Sequence, residues 1–133
     1  MTHPIPAELE TSLNRPVLDH LDGRSAHSDL GTALRAAVKP LGDVQLFSPH
    51  WEACRYVLAA TKGVVFAHAQ GMNTIGVRLD ERMHARALVS GGQPCAKCGP
   101  GWVSFMLFRD DWPQVDLEFW VRKAYVPARE GQP

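Results

Sequence analysis

The first thing to note in this chain is what it lacks. Charge of one sign is missing: 14 Lys and Arg balance 14 Asp and Glu, so no bulk field draws it to nucleic acid or to an anionic membrane surface. No apolar stretch approaches the roughly 20 residues that a membrane-spanning helix needs. The N-terminal MTHPIPAELETSL has no basic region followed by an apolar one, so it is not expected to act as a secretory signal. Cysteine is scarce, and three residues, an odd number, do not build a disulfide framework. A cytoplasmic protein with reduced thiols is the expectation. There is no internal repeat, no glycine-rich phosphate loop, and no HExxH or GxSxG segment. These absences set aside polyanion binders, membrane proteins, disulfide scaffolds and the most clearly marked enzyme classes.

What is present fits one soluble domain. The chain has 133 residues, 45% of them hydrophobic, enough to bury a core of useful size. Residues 1–27, rich in Pro, His, Asp and Gly, read as a largely irregular arm with one helical turn near Ala7–Leu13. Residues 28–127 read as the folded domain, and 128–133 as a flexible tail. Leu30, Ala33, Leu34, Ala37 and Val38 recur at helical spacing, with Ser28 or Asp29 as the cap and Pro40 as the stop. Val44–Phe47 alternates as a short strand. Over residues 49–62 two readings compete. Ser48, Pro49 and Glu52 suggest a helix that ends at Gly63. Arg55–Leu58 also suits a strand, with Lys62-Gly63 as a hairpin turn; the helix is the preferred reading.

VVFAHAQ-GMN-TIGVRLD carries the clearest β pattern, two alternating strands about a Gly71–Asn73 turn, with Phe66 and His68 expected on one face. Asp80 then caps a helix that runs from Glu81 to Val89 and closes at Gly91-Gly92. Trp102–Phe108, continuously apolar, reads as a central strand buried on both faces. A last helix is expected to start at Asp110–Pro113, to bury Leu117, Val121, Ala124 and Tyr125, and to end at Pro127. The fold class is α+β: a single small domain with a sheet of about four mainly antiparallel strands and three to four helices packed on it.

Three groups of residues carry candidate chemistry. Cys95-Ala-Lys-Cys98 has the spacing of a zinc knuckle, for which Cys54, His50, His68 or His84 would have to supply further ligands. The same spacing serves redox pairs, but Gly99-Pro100-Gly101 prevents the helix that normally activates one. The plainest reading is a connecting loop with two thiols, so no cofactor is expected and zinc is the alternative. His68, mid-strand, becomes an acid/base group if its face lines a cleft, with Gln70, Asn73 or Arg109 as helpers; otherwise it is a buried histidine bonded to a neighbour. Arg78, Arg82 and Arg86 could grip an anion, although Asp80 and Glu81 make an ordinary surface network the simpler reading. Of the four tryptophans, Trp51 and Trp102 could line an apolar pocket with Phe66 and His68, where core packing is the commoner role.

From Phe66 onward the order of elements resembles the small "luciferase domain" family, found in uncharacterised bacterial proteins and fungal luciferases. The similarity spans residues 29–126: a leading helix, the VVFAHAQGMNTIGVRL strand pair, a strand ending in an arginine, and a final helix ending in Ala124-Tyr125. The family pattern places histidines at three positions, occupied here by His68, Gln70 and Gly76. Arg109 matches the arginine after the later strand, with Phe108 in place of the usual proline. The family's Gly-Trp-Gly-Glu segment is replaced by the short helix and the cysteine loop. The resemblance thus implies a retained scaffold whose polar cluster is largely lost, and argues against transferring an activity.

The functional expectation is a binding or regulatory domain for a small apolar ligand or a protein partner, with no nucleic acid or membrane partner. A homodimer is expected if a strand edge is exposed. The alternatives are a small enzyme built on His68 and a zinc-stabilised interaction domain.

Overall fold

The computed structural model of the protein describes residues 2–49, 55–107 and 116–130. In chain order these form β1 (Thr2–Pro4), a 3-10 turn (Ala7–Leu9), α1 (Arg15–Leu21), α2 (Ser28–Val38), β2 (Gln45–Ser48), β3 (Val57–Thr61), β4 (Val64–Gln70) and β5 (Thr74–Arg78). There follow α3 (Glu81–Val89), β6 (Gln93–Pro94), a second 3-10 turn (Ala96–Cys98), β7 (Trp102–Met106) and α4 (Leu117–Arg129). The strands make one seven-stranded sheet in the order β1-β2-β3-β4-β5-β7-β6. Among the described strands only the β1–β2 pair is parallel. The α+β class and the antiparallel character expected from sequence are therefore present, with three strands more than expected: β1, β3 and β6.

β3 corrects the preferred helical reading of residues 49–62 over its described part. Leu58 sits between Phe47 of β2 and His68 of β4, so partners on both sides decide its conformation. The Lys62-Gly63 turn does the rest. Both residues have positive φ, 52° and 79°, the pattern of a two-residue hairpin turn whose twist matches that of the strands it joins. The Ser48 hydroxyl, read as a helix cap, instead donates to the Tyr56 carbonyl at 2.9 Å.

Residues 1–27 also differ from the expected arm. α1 buries Val17, Leu18 and Leu21 against Leu58, Val65 and Trp102 on one face of the sheet. Each fully buried side chain of this kind contributes roughly 1.5–3 kcal/mol. Asn14 pins the segment in place. Its side-chain amide donates to the carbonyls of Leu9 (2.8 Å) and Gly63 (2.9 Å), and its oxygen accepts from the Val65 N–H (3.1 Å).

The opposite face carries α2, α3 and α4, packed on a core that includes Phe66, Ile75, Val77, Phe105 and Trp120. Layers on both sides explain why every residue of β4 is buried. β4, fourth of seven, is the central strand; β7, expected in that place, is next to the edge. The two edges, β1 and β6, have three and two residues.

Helix ends were partly legible. Asp80 caps α3 as expected, but α2 is capped by His27, whose Nδ1 accepts from the Asp29 N–H at 3.1 Å. α4 is capped by Asp116; the expected start at Asp110–Pro113 lies outside the described residues. Nor does Pro127 end α4. Ala128 beyond it is buried, and the Arg129 guanidinium lies 6.0 Å from the centre of the Tyr125 ring. Packing thus carries the helix to Arg129, into the expected tail.

Candidate functional site

The cysteine loop is the tip of the β6–β7 hairpin. Pro94 pairs with Val103, and the Cys95 N–H donates to the Trp102 carbonyl at 3.0 Å. The chain then makes the Ala96–Cys98 turn and enters β7. Within that turn Cys95 and Cys98 form a disulfide, with Cα atoms 5.4 Å apart. The zinc-knuckle expectation and the expectation of reduced thiols are both corrected here: the two sulfurs are bonded to each other rather than free or offered to a metal. Cys54 and His50 lie outside the described residues.

α1 lays its last turn on this loop, which brings His20 to the disulfide. One ring nitrogen of His20 and both sulfurs lie within 4.8 Å of one another. Cys98 is fully buried, whereas Cys95 and His20 are partly exposed. The Gln70 side-chain amide donates to His20 Nε2 at 3.3 Å. Burial, followed by the cations Arg24 and Lys97, holds the His20 pKa below the ordinary histidine value, which keeps the ring a neutral acceptor for that bond. Sequence reasoning missed His20. Its only local sign is Arg15-Pro16 opening a short helix, and nothing local announces where that helix docks.

Next to this cluster lies His68. The sequence placed it on a face with Phe66; the structure separates them. Ala59 pairs with Ala67 but Ala60 pairs with Val65, so Phe66 is an extra residue, a β-bulge, in β4. Phe66 therefore meets Tyr125 on the helical face, with ring centres 5.8 Å apart. His68 instead meets Trp102 on the other, at 5.3 Å. A row runs across that face through Phe47, Leu58, His68, Gly76, Ser104 and Gln93.

His68 is 0% exposed, and among the described residues neither ring nitrogen has a hydrogen-bond partner. Burial, reinforced by the nearby His20 and Arg24, pushes its pKa down to about 3. The imidazole is therefore neutral at any ordinary pH. Gly76 makes room for it: a Cβ there would run into Nε2 and stand 2.6 Å from Cε1 and 2.8 Å from Cδ2. The three positions that carry the "luciferase domain" resemblance, His68, Gln70 and Gly76, thus share one face of two neighbouring strands.

The remaining candidates do not converge. Asn73 holds the turn, accepting the Leu107 N–H on its carbonyl at 2.7 Å. Trp120 stacks on Phe105 in the helical-face core. Arg78 lines a shallow groove of about 360 Å³ with Asp80, Glu81 and His84, which Arg82 does not line. Arg86 is turned to the Phe119 ring. Trp51 and Arg109 lie outside the described residues.

A second groove, of about 410 Å³, opens beside α1. Ile5, Leu18 and Tyr56 supply apolar surface, and Glu10, Asp19 and Asp22 supply carboxylates. Arg15 answers one of them, 3.8 Å from Glu10; Asp19 and Asp22 have no ion pair among the described residues. Burial and then Asp22 raise the pKa of the Tyr56 phenol. His68 lines neither groove.

Set against protein-family models, curated proteins and solved structures, the chain matches none of them. No described helix is long and apolar enough to cross a membrane.

Proposed function

We propose that this domain binds a small ligand with an apolar body and a positive charge, in the groove beside α1, as a regulatory module rather than as a catalyst built on His68. The observation that carries the reading is the pairing of apolar Ile5, Leu18 and Tyr56 with two carboxylates, Asp19 and Asp22, that have no ion pair among the described residues. An apolar body placed against that surface gains burial, and a cation at the rim gains the attraction of both carboxylates. The sealed position of His68 weighs against the enzyme reading, because a general base has to reach a substrate proton. The cytoplasm is the setting we assign, from composition. The reading needs no second copy of the chain.

The test is an NMR titration with phenethylamine and, as the matched anion, 3-phenylpropionate. Saturating shifts at Ile5, Leu18, Asp19 and Tyr56 with the amine only, abolished by Asp19→Lys/Asp22→Lys, are expected. Equal responses to both probes, or no saturation with either, would refute the reading.

A further inference from the structure

The disulfide spans so short a loop that stabilisation is a weak reason for its presence. In the chain-entropy account a disulfide stabilises less the shorter the loop it closes, and here backbone hydrogen bonds already close the turn. Three features suit reaction better. The two sulfurs are inequivalent, Cys95 reachable and Cys98 buried. Cys95 is therefore the residue of the two that an incoming nucleophile can approach. An imidazole stands beside both sulfurs, held by Gln70. The surroundings are cationic: Lys97 lies between the cysteines in sequence, and the Arg24 guanidinium is anchored to the His20 carbonyl at 2.8 Å. Positive surroundings favour thiolates, the form of cysteine that exchanges.

We propose that Cys95–Cys98 is a thiol–disulfide exchange centre for small thiols, in which Cys95 is the sulfur attacked, Cys98 the leaving sulfur and His20 the proton carrier. His20 takes the proton of an incoming thiol on Nε2, the nitrogen that accepts from Gln70 in the resting state, and that hydrogen bond opens as it does so. The thiolate attacks Cys95 Sγ; a mixed disulfide forms there, the Cys95–Cys98 bond breaks, and its electron pair leaves on Cys98 Sγ. His20 hands its proton to that thiolate. A second small thiol attacks the outer sulfur of the mixed disulfide, releasing the small disulfide and leaving Cys95 as a thiol. In sum, two thiols give two electrons and two protons to the protein disulfide and leave as one disulfide. The helix that usually activates such a pair is replaced here by α1, which approaches from the other end of the chain and brings the imidazole. The proposal stands apart from the groove reading, since exchange is measured with no amine present.

Folded, oxidised protein is incubated anaerobically in glutathione buffers, quenched with acid, alkylated and mapped by mass spectrometry, which separates Cys54 from the pair. The expected result is a reversible two-electron transition with the circular dichroism of the fold retained. In the reduced protein, Cys95 is expected to alkylate roughly tenfold faster than Cys98. Glutathione should be trapped on Cys95 in Cys98→Ser and, because Cys98 is buried, also in rapidly quenched wild-type protein. His20→Gln should slow exchange about tenfold with the midpoint unmoved. That is below the full range of general acid–base groups, as the ring lies up to 4.8 Å from sulfur. Reduction only in denaturant, glutathione found first on Cys98, or wild-type exchange rates in both His20→Gln and His20→Ala would overturn the proposal.

Discussion

Replacing Gly76 with alanine puts one methyl group into the most crowded part of the second face of the sheet. The new carbon would meet three atoms of the His68 ring, two of them at 2.6 and 2.8 Å, well inside contact distance. The ring has little room to yield, because Trp102 lies over it and Leu58 and Gly76 flank it. Overpacking of this kind costs about 1–3 kcal/mol. Alanine recovers about 0.5–1 kcal/mol of the penalty glycine carries in a strand, so the net loss should be about 1–2 kcal/mol. For 133 residues the unfolding entropy is about 0.28 kcal/mol/K, and the melting temperature should fall by about 4–7 °C. The sign should reverse once the ring is gone. In a His68→Ala background the methyl occupies vacated space, and Gly76→Ala should stabilise by about 0.5–1 kcal/mol. The cycle, measured by urea unfolding with an unchanged m-value, should yield a coupling of about 2 kcal/mol. An equal effect of Gly76→Ala in both backgrounds would show that the ring does not lie where the structure puts it.

Acid should destabilise the fold through the same residue. With a folded pKa of about 3 against 6.5 when unfolded, the unfolded chain binds the extra proton throughout that window. Stability should therefore fall as pH drops below 6.5, by up to about 1.4 kcal/mol per unit, and level off near 3. Urea midpoints from pH 7 to 3.5 would show this, and His68→Leu should flatten the slope; an unchanged slope would contradict it. Asn14→Ala should be severe, as it orphans the Leu9 and Gly63 carbonyls and the Val65 N–H. A loss of about 3 kcal/mol in chemical unfolding is expected, and a loss under about 1 would show that water replaces the side chain.

The elements legible in the sequence were those settled locally. α2 and α3 show their period and their stops within their own residues, and the β4–β5 pair its alternation about Gly71. β3 was misread because Ser48, Pro49 and Glu52 imitate a helix start, while the partners that make it a strand lie on other strands. α1 offers three buried apolar residues in a single short helix, too few for a period to show. The site was harder still. His68 was visible as a residue, but its face was not, since nothing in VVFAHAQ marks the bulge. Cys95 and Cys98 were visible as a pair, whereas the imidazole that meets them comes from the segment read as an arm. Positions close in sequence could be interpreted; meetings of distant segments had to be seen.

The bulge at Phe66 also bears on how this chain can change length. Val65 points to the face of α1, and Phe66 and Ala67 both belong to the core under the helices. Deleting Phe66 alone would leave an unbroken alternation from Val65 through Ala67 to His68, with every residue downstream facing as it does now. The loss would be a ring beneath Tyr125. A residue gained or lost between Ala67 and Gln70 would instead turn part of the His68–Gln70 segment toward the helices. Within this strand, then, one position is free to be a gap, and its neighbours on the C-terminal side are not. Any sequence aligned to this one through β4 should place its insertion or deletion at Phe66 if it is to keep the face that carries His68 and Gln70.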